Sequence, residues 1–447
     1  LEEGSRRPPQ QSKGFIVRSN ASLAARRSAA IPSGLAKHSD VYIDRAENAE
    51  LWDVEGTRYV DFAAGIAVTN TGHRHPQVLE RVRQQLDRVT HTSFQTTPYE
   101  DYVTLCERLN ALVPGDFAKK TFLVTTGAEA IENAAKIARA VTGRSALIAF
   151  SGAFHGRTLL AMTLTGKTVP YKAGFGPLVS DIYHAPFPIA FHGVSEAESL
   201  EALQQIFRVQ ADPSRVAAIF IEPIQGEGGF YPAPASFLRK LREICTEHGI
   251  LLIADEIQTG FGRTGKMFAM EHAGVSADLV TLAKGLGGGF PIAAITGRAD
   301  IMDRIPAGGV GSTFAGNPLA CAAALAVLDV IAEEKLVERA QEIGRRIRAR
   351  LDRWAEGNEF PTIGEVRGQG AMVAIEFVTD RATRAPAPDL AKQVTKLALD
   401  SGLLVLNCGI RGNGVRLLPA LTIPFDILDE GLDRLEEVIR AAQSGKE

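Results

Sequence analysis

Short unbroken apolar runs alternate with helical periodicities through the middle of the chain, from about residue 65 to about residue 313. Phe122-Leu123-Val124 and residues 146–149, 216–221, 250–254 and 279–283 have the length and branched composition of strands buried on both faces. Ile131, Ala134, Ala138 and Val141 recur at helical spacing between the first two runs. This alternation predicts an α/β layer architecture, a mostly parallel sheet with helices on both faces. Ahead of it, residues 41–44 and 59–62 around a turn at Glu55-Gly56 predict a small antiparallel pair. Behind it, residues 319 to about 353 read as one long helical connector, with Leu325, Leu328, Ile331 and Leu336 near helical spacing. The remainder mixes strands at 372–377 and 415–418 with helices at 390–399 and 428–441, an α+β end domain. The division expected is a disordered tail (1–20), the N-terminal part of a small domain (21–64), a large domain (65–325) and the C-terminal part of the small domain (326–447).

Composition narrows the function classes. With 447 residues, 45% hydrophobic and 23% charged, the chain can bury an ample core. A net charge of −3 leaves no electrostatic footprint for nucleic acid. The longest apolar stretch, residues 319–328, is too short to span a bilayer and is followed by Asp329, so no membrane partner is expected. Cys106, Cys245, Cys321 and Cys408 are far apart and show neither CxxC spacing nor a disulfide framework, which fits a reducing, cytoplasmic setting and implies no metal site. Residues 1–11 contain Arg6, Arg7, Pro8 and Pro9 but no apolar core of a signal peptide, and read as a tail.

Candidate chemistry gathers at the carboxyl ends of the apolar runs, where an open α/β sheet forms its ligand crevice. Asp255 ends one run and Lys284 another. A lysine can hold pyridoxal phosphate as a Schiff base while a carboxylate keeps its ring nitrogen protonated; a structural ion pair is the bland alternative. Thr125-Thr126-Gly127-Ala128-Glu129 leaves a strand and opens a helix, a turn suited to a phosphate on backbone N–H groups, though glycine at such a turn also serves geometry alone. In Phe154-His155-Gly156-Arg157 the aromatic ring could stack on a flat cofactor and the arginine could receive a carboxylate. Glu222 and Glu227 lie at and just beyond another strand end. Residues 260–265 formally match GxGxxG, but residues 255–259 intervene after the strand and no long helical pattern follows, so a dinucleotide site is rejected. A P-loop is rejected as well, because Met267 stands where a hydroxyl is required. His73 and His75 are read as structural.

Several long segments in order, among them DFAAGIAVTNTGH (61–73), FLVTTGAEAIENAAKIAR (122–139), FHGRT (154–158), IEPIQGEGGFY (221–231), ILLIADEIQTGFGRTG (250–265), AKGLGGGFP (283–291) and GSTFAGNPLACAAALAVL (311–328), make this chain resemble the class III pyridoxal-phosphate-dependent aminotransferases, and within them those acting on 4-aminobutyrate. The resemblance runs from about residue 33 to about 442. It implies fold type I, with a mostly parallel seven-stranded sheet in the large domain and a smaller α+β domain from both chain ends. It implies that Lys284 carries the cofactor, Asp255 pairs with its ring nitrogen, Gly127 and Ala128 offer N–H groups to the phosphate, Phe154 stacks, and Ile257 and Gln258 cover the other face and the hydroxyl edge. His155 and Glu222 join the cofactor site, and Thr313 reaches the phosphate of a neighbouring subunit, so a homodimer or a dimer of dimers with shared sites is expected. Ile66, Gln95, Arg157, Glu227 and Arg416 are the substrate residues so implied. Arg157 binds the distal carboxylate, and Arg416 binds the α-carboxylate of glutamate, pairing with Glu227 when none is present. Read as an exposed pair worth about 0–1 kcal/mol, that gate opens at modest cost. The activity implied is transfer of the amino group of 4-aminobutyrate to 2-oxoglutarate, giving succinate semialdehyde and glutamate. An acetylornithine, ornithine or other ω-amino acid aminotransferase is the alternative within the family. A non-catalytic nucleotide- or cofactor-binding protein is the alternative outside it, and intact Lys284 and Asp255 speak against it.

Overall fold

A computed structural model describes residues 18–445. Its centre is a seven-stranded sheet in the order Lys119–Val124, Ala293–Arg298, Leu279–Leu282, Leu251–Asp255, Val216–Ile221, Ala146–Phe150, Ile182–Ala185. Every strand expected in this region is present. Ala293–Arg298 alone runs antiparallel to its neighbours, and the other neighbouring pairs are parallel. Two strands escaped the sequence reading. Ile182–Ala185 carries Tyr183 and His184 and so lacks an apolar run. Ala293–Arg298 contains Gly297, where a Cβ would stand 2.2 Å from Leu279 Cδ2; the position is glycine because the neighbouring strand's side chain fills its place.

The helix Gly127–Thr142 shows how the sequence places a site element. Its buried face is Ala130, Ile131, Ala134, Ala135, Ile137, Ala138 and Val141, the apolar stripe of a helix laid on a sheet. Gly143, at φ 69°, ends it in the left-handed cap that glycine favours.

Three expectations are corrected. The N-terminal pair is a three-stranded antiparallel meander, Ile43–Glu47, Glu50–Asp53 and Arg58–Asp61, so the two runs foreseen are not neighbours. A tight turn at Asn48 (φ 48°) makes room for the extra strand. Leu403–Leu404 then adds in parallel to Arg58–Asp61, so the C-terminal part of the chain completes an N-terminal sheet. The long connector is two helices, Pro318–Glu333 and Leu336–Glu356, broken where Lys335 takes φ 52° after two polar residues. The first is buried on nearly all sides, which explains its even hydrophobicity. Residues 18–20, expected in the tail, are structured. Ser19 caps the helix Asn20–Ala30, and Arg18 pairs with Asp44 at 3.0 Å; residues 1–17 lie outside the described residues.

A second antiparallel sheet joins Ile363–Gln369, Met372–Asp380, Gly414–Leu417 and Leu406–Cys408, beside the helices Pro388–Asp400 and Phe425–Gln443. Among the described residues no helix is long and apolar enough to cross a membrane.

Candidate active site

Five of the parallel strands release their chain at one edge of the large sheet, and a cavity of about 460 Å³ opens there. Thr125 to Ala128, Phe154 to Arg157, Glu222, Asp255 and Lys284 line it, each just past a strand end. Glu227, Ile257 and Gln258 complete the set of expected residues in its wall.

The helix N-terminus is prepared for an anion. Glu129 Oε2 accepts the amides of Thr125 (2.7 Å) and Thr126 (3.0 Å), and Thr126 Oγ1 accepts that of Glu129. This capping box leaves the N–H groups of Gly127 and Ala128, in the cavity wall, for a ligand at the positive end of a 16-residue helix. Gly127 is needed for closeness: a Cβ there would come within 2.9 Å of Ile257 Cδ1.

Asp255 ends its strand with both oxygens engaged. Oδ2 meets His155 Nδ1 at 2.7 Å, while Oδ1 accepts Ile257 N at 3.1 Å and the Thr281 hydroxyl at 3.2 Å. Burial opposes charge on His155, but the Asp255 carboxylate beside it wins and raises its pKa above the usual value. Glu222, also buried, accepts Phe154 N at 2.8 Å and Gly226 N at 2.9 Å, tying the aromatic segment to the Glu227 turn. Burial raises its pKa despite His155.

Lys284 stands at φ 43°, a left-handed conformation that costs a non-glycine residue about 1–3 kcal/mol. Burial lowers the pKa of its amine, partly offset by the charge of Glu227. Among the described residues that amine has neither hydrogen bond nor ion pair.

Arg416 Nη1 lies 2.5 Å from Glu227 Oε1, and the arginine side chain is only 3% exposed. The Glu227 side chain is 22% exposed, so the arginine end of the pair is enclosed, and the low-cost opening expected of a fully exposed pair does not apply. Removing either partner of such a pair strands the other charge. Arg157, exposed, holds its guanidinium 5.3 Å from the ring centres of both Phe154 and Tyr171.

Ile66, Gln95, Thr313 and Arg416 are not in the cavity wall; Arg416 stands behind it, in contact with the wall residue Glu227. Ile66, 37% exposed, sits in a turn where Ala64, Gly65, Ile66 and Ala67 all take positive φ (45°, 63°, 66° and 59°). Asp61 clamps that turn through the amides of Ala63 and Ala64, and the turn packs against the segment Lys284–Leu286. Gln95 donates to Val310 O at 3.2 Å, close to the exposed Thr313. Conversely, Val68 and Phe290, Pro291 and Ile292 line the cavity without having been named as site residues. The glycine run 287–289, which turns the chain back so that a Cβ on Gly287 would strike Phe290 O, was the available signal for the latter three.

The wall fits the expected cofactor. Among the described residues, Gln258 Oε1 and His155 Nε2 are buried without a hydrogen-bond partner, a cost that a ligand hydroxyl or other polar group would relieve. Together with two free helix amides, an acid, an aromatic face and an amine, these groups match the phosphate, ring nitrogen, ring plane and aldehyde of pyridoxal phosphate.

Comparisons with known proteins agree. The family model described as "Aminotransferase class-III" matches residues 34–439. The 5-aminovalerate aminotransferase of Pseudomonas putida is 51% identical over 422 residues, covering 94% of this chain and 99% of its own. The 4-aminobutyrate aminotransferase of Escherichia coli is 50% identical over 427 residues, covering 96% and 100%. Among solved structures, the ornithine aminotransferase of Toxoplasma gondii, with pyridoxal phosphate in partial occupancy at its active site, superposes with a TM-score of 0.85 at 31% identity, covering 96% of each chain.

Proposed function

This chain belongs to the class III aminotransferases and uses pyridoxal phosphate, and from that premise we propose that it moves the amino group of 4-aminobutyrate to 2-oxoglutarate, giving succinate semialdehyde and glutamate. The observation that carries the reading is the enclosed Glu227–Arg416 pair in a site that also presents Arg157. Such a site must accept a donor whose only carboxylate is distal to its amine, and then an acceptor with two carboxylates. Arg157 receives the distal carboxylate of either, and its freedom from an ion pair among the described residues leaves it available. Glu227 neutralises Arg416 while the ω-amino donor is present. The α-carboxylate of the keto acid or of glutamate displaces Glu227 and takes the guanidinium.

Pyridoxal phosphate supplies an electron sink for the substrate carbon that bears the amine. Asp255, oriented by His155 and Thr281, holds the proton on the ring nitrogen. Gly127 and Ala128 would anchor the phosphate through their N–H groups, and Phe154 and Ile257, both in the cavity wall, would offer their apolar faces to the ring. Lys284, whose amine burial keeps more readily neutral, would hold the cofactor through that amine and, once the substrate amine displaces it, would be free to take up the proton lost by that substrate carbon.

A second reading has support of its own: the relative from P. putida is named for 5-aminovalerate, one methylene longer. A further methylene discriminates by only about 10–200-fold in an apolar pocket, so both donors can share this site. We further infer that a second copy of the chain completes the site with Thr313, which is exposed here. Four free cysteines suit a cytoplasmic setting.

The test is the visible absorption band of the holoenzyme after adding one amino donor without keto acid. Loss of the band with 4-aminobutyrate, and weaker or no loss with ornithine and acetylornithine, supports the proposal. A response confined to the ornithine compounds would overturn it, and a faster response to 5-aminovalerate would select the second reading.

A further inference from the structure

Glu227 rides on a four-residue turn, Gly226–Gly229, that is fixed from several directions. Gly226 N donates to Glu222, Gly409 N donates to Glu227 O at 2.9 Å, and Arg367 Nε donates to Gly229 O at 2.6 Å. The glycines leave no slack. A Cβ on Gly226 would lie 2.6 Å from Gln258 Oε1, one on Gly228 2.6 Å from Gly152 O, and one on Gly229 2.7 Å from the Tyr231 ring.

Arg367 is itself held in a buried charge cluster. Its Nη1 contacts Glu376 Oε2 at 2.5 Å and Glu365 Oε2 at 2.8 Å, and its guanidinium lies 3.8 Å above the Tyr231 ring. Glu376, 1% exposed, also meets His192 Nε2 at 2.8 Å and Asn413 Nδ2 at 3.2 Å, and accepts the Tyr231 hydroxyl. A guanidinium gripped by two carboxylates and a ring face has one orientation, so the Nε–H it gives to Gly229 is a fixed strut. The same ladder holds the other half of the gate. Arg367 and Arg416 lie on the two strands that flank Met372–Asp380, and both stand opposite Ala374.

We propose that Arg367 is a positioning residue for the Glu227 gate: it immobilises the Gly226–Gly229 turn, so that opening is a rotation of the Glu227 side chain against stationary backbone, and it thereby sets the discrimination between substrates without and with an α-carboxylate. This rests on the gate reading of the preceding subsection. An ordinary stabilising cluster would hold the sheet together without affecting the two half-reactions differently. If the strut is lost, the turn shifts and Glu227 no longer meets Arg416 in one geometry. Donors lacking an α-carboxylate then face a bare guanidinium, whereas glutamate supplies its own counter-charge.

The experiment compares holoenzymes of the wild type, Arg367→Lys, Glu376→Gln and Glu227→Gln. Loss of the visible band is timed with 4-aminobutyrate alone and with glutamate alone, and amide hydrogen exchange is followed across residues 226–230. Lysine keeps the charge but cannot grip Glu376 and Gly229 at once. For Arg367→Lys we expect the ratio of the two rates to fall by about tenfold, the effect of one charge-assisted hydrogen bond, with faster exchange at 226–230. Glu376→Gln should shift both in the same direction and serves if the first variant does not fold. Equal slowing of both half-reactions, or unchanged exchange in the turn, overturns the inference. If Glu227→Gln moves the ratio and Arg367→Lys does not, the gate stands and this inference falls. If Glu227→Gln also leaves the ratio unchanged, the gate reading fails and takes the inference with it.

Discussion

His155 Nδ1 and Asp255 Oδ2 lie 2.7 Å apart, with the two side chains 0% and 3% exposed. The imidazole fixes one carboxylate oxygen while Ile257 N and the Thr281 hydroxyl fix the other, so the acid cannot turn away from a ring nitrogen placed against it. Asp255→Asn keeps the shape and removes the charge. We expect turnover to fall by about 10²–10⁴-fold, the range typical of a positioned proton-holding group, with cofactor still bound. Steady-state rates together with the absorption spectrum check this, and a loss under about tenfold would remove Asp255 from its role.

Covalent attachment of pyridoxal phosphate requires a neutral Lys284 amine. Burial lowers the pKa of that amine from its ordinary 10.5, so a larger fraction is neutral at any pH below that value. The attachment rate to cofactor-free chain should rise with pH and level off before 10.5, and Lys284→Ala should attach none. Stopped-flow absorbance across pH measures it. A plateau reached only at or above 10.5 would mean that the amine is not perturbed.

Glu227→Ala should slow the 4-aminobutyrate half-reaction more than the glutamate half-reaction, because Arg416 is then unpaired only when the substrate brings no α-carboxylate. The enclosed position adds an expectation about stability. An uncompensated buried guanidinium destabilises by up to about 3–5 kcal/mol, and a non-reacting dicarboxylate should restore more stability to the variant than to the wild type. Thermal unfolding with and without glutarate reads this, and equal shifts in both proteins would contradict it.

At Gly127 the backbone does not need glycine, since its φ is not positive. The obstacle is Ile257 Cδ1, the far end of a flexible side chain, 2.9 Å from where a Cβ would stand. Gly127→Ala should therefore fold with little loss, yet push Ile257 into the cofactor cavity. We expect cofactor affinity to drop by about tenfold, or about 1.4 kcal/mol, measured by titrating cofactor-free protein. Unchanged affinity would show that Ile257 can move elsewhere.

The large sheet was legible in the sequence because strands buried on both faces are written as continuous apolar runs, as Val216–Ile221 shows with six buried residues. Ala293–Arg298 was not, since its fit depends on a glycine beside Leu279, a relation between residues far apart in sequence. Lys284, Asp255, Glu222 and Glu227 were legible because each sits at or just past the end of such a run. Arg416 entered through family resemblance, and its enclosure was invisible because it arises from strands that pair across the C-terminal sheet. The break at Lys335 was missed for a local reason. Helical periodicity carries on through Leu336, and only the left-handed φ of Lys335 separates the two helices.

Glu376 sets an acid limit that can be separated from the rest of the molecule. Burial would raise its pKa, but hydrogen bonds from His192 and Tyr231 and the charge of Arg367 win, and hold the carboxyl at about 2 rather than the ordinary 4.5. A carboxylate whose folded pKa is depressed contributes stability that is complete above its unfolded value and is lost as pH falls from 4.5 towards 2. Replacing it with glutamine removes the charge at every pH, so Glu376→Gln should be less stable than the wild type at neutral pH. The gap should narrow steadily below pH 4.5, because over that window unfolding of the wild type takes up a proton at Glu376, and the variant has no such group. Other carboxylates titrate in the same range, but they do so in both proteins, and the difference between the two unfolding curves isolates this one. Unfolding midpoints measured from pH 6 down to pH 2.5 decide the matter: converging curves support the assignment, whereas parallel curves would mean that Glu376 gains nothing from its cluster in the folded state.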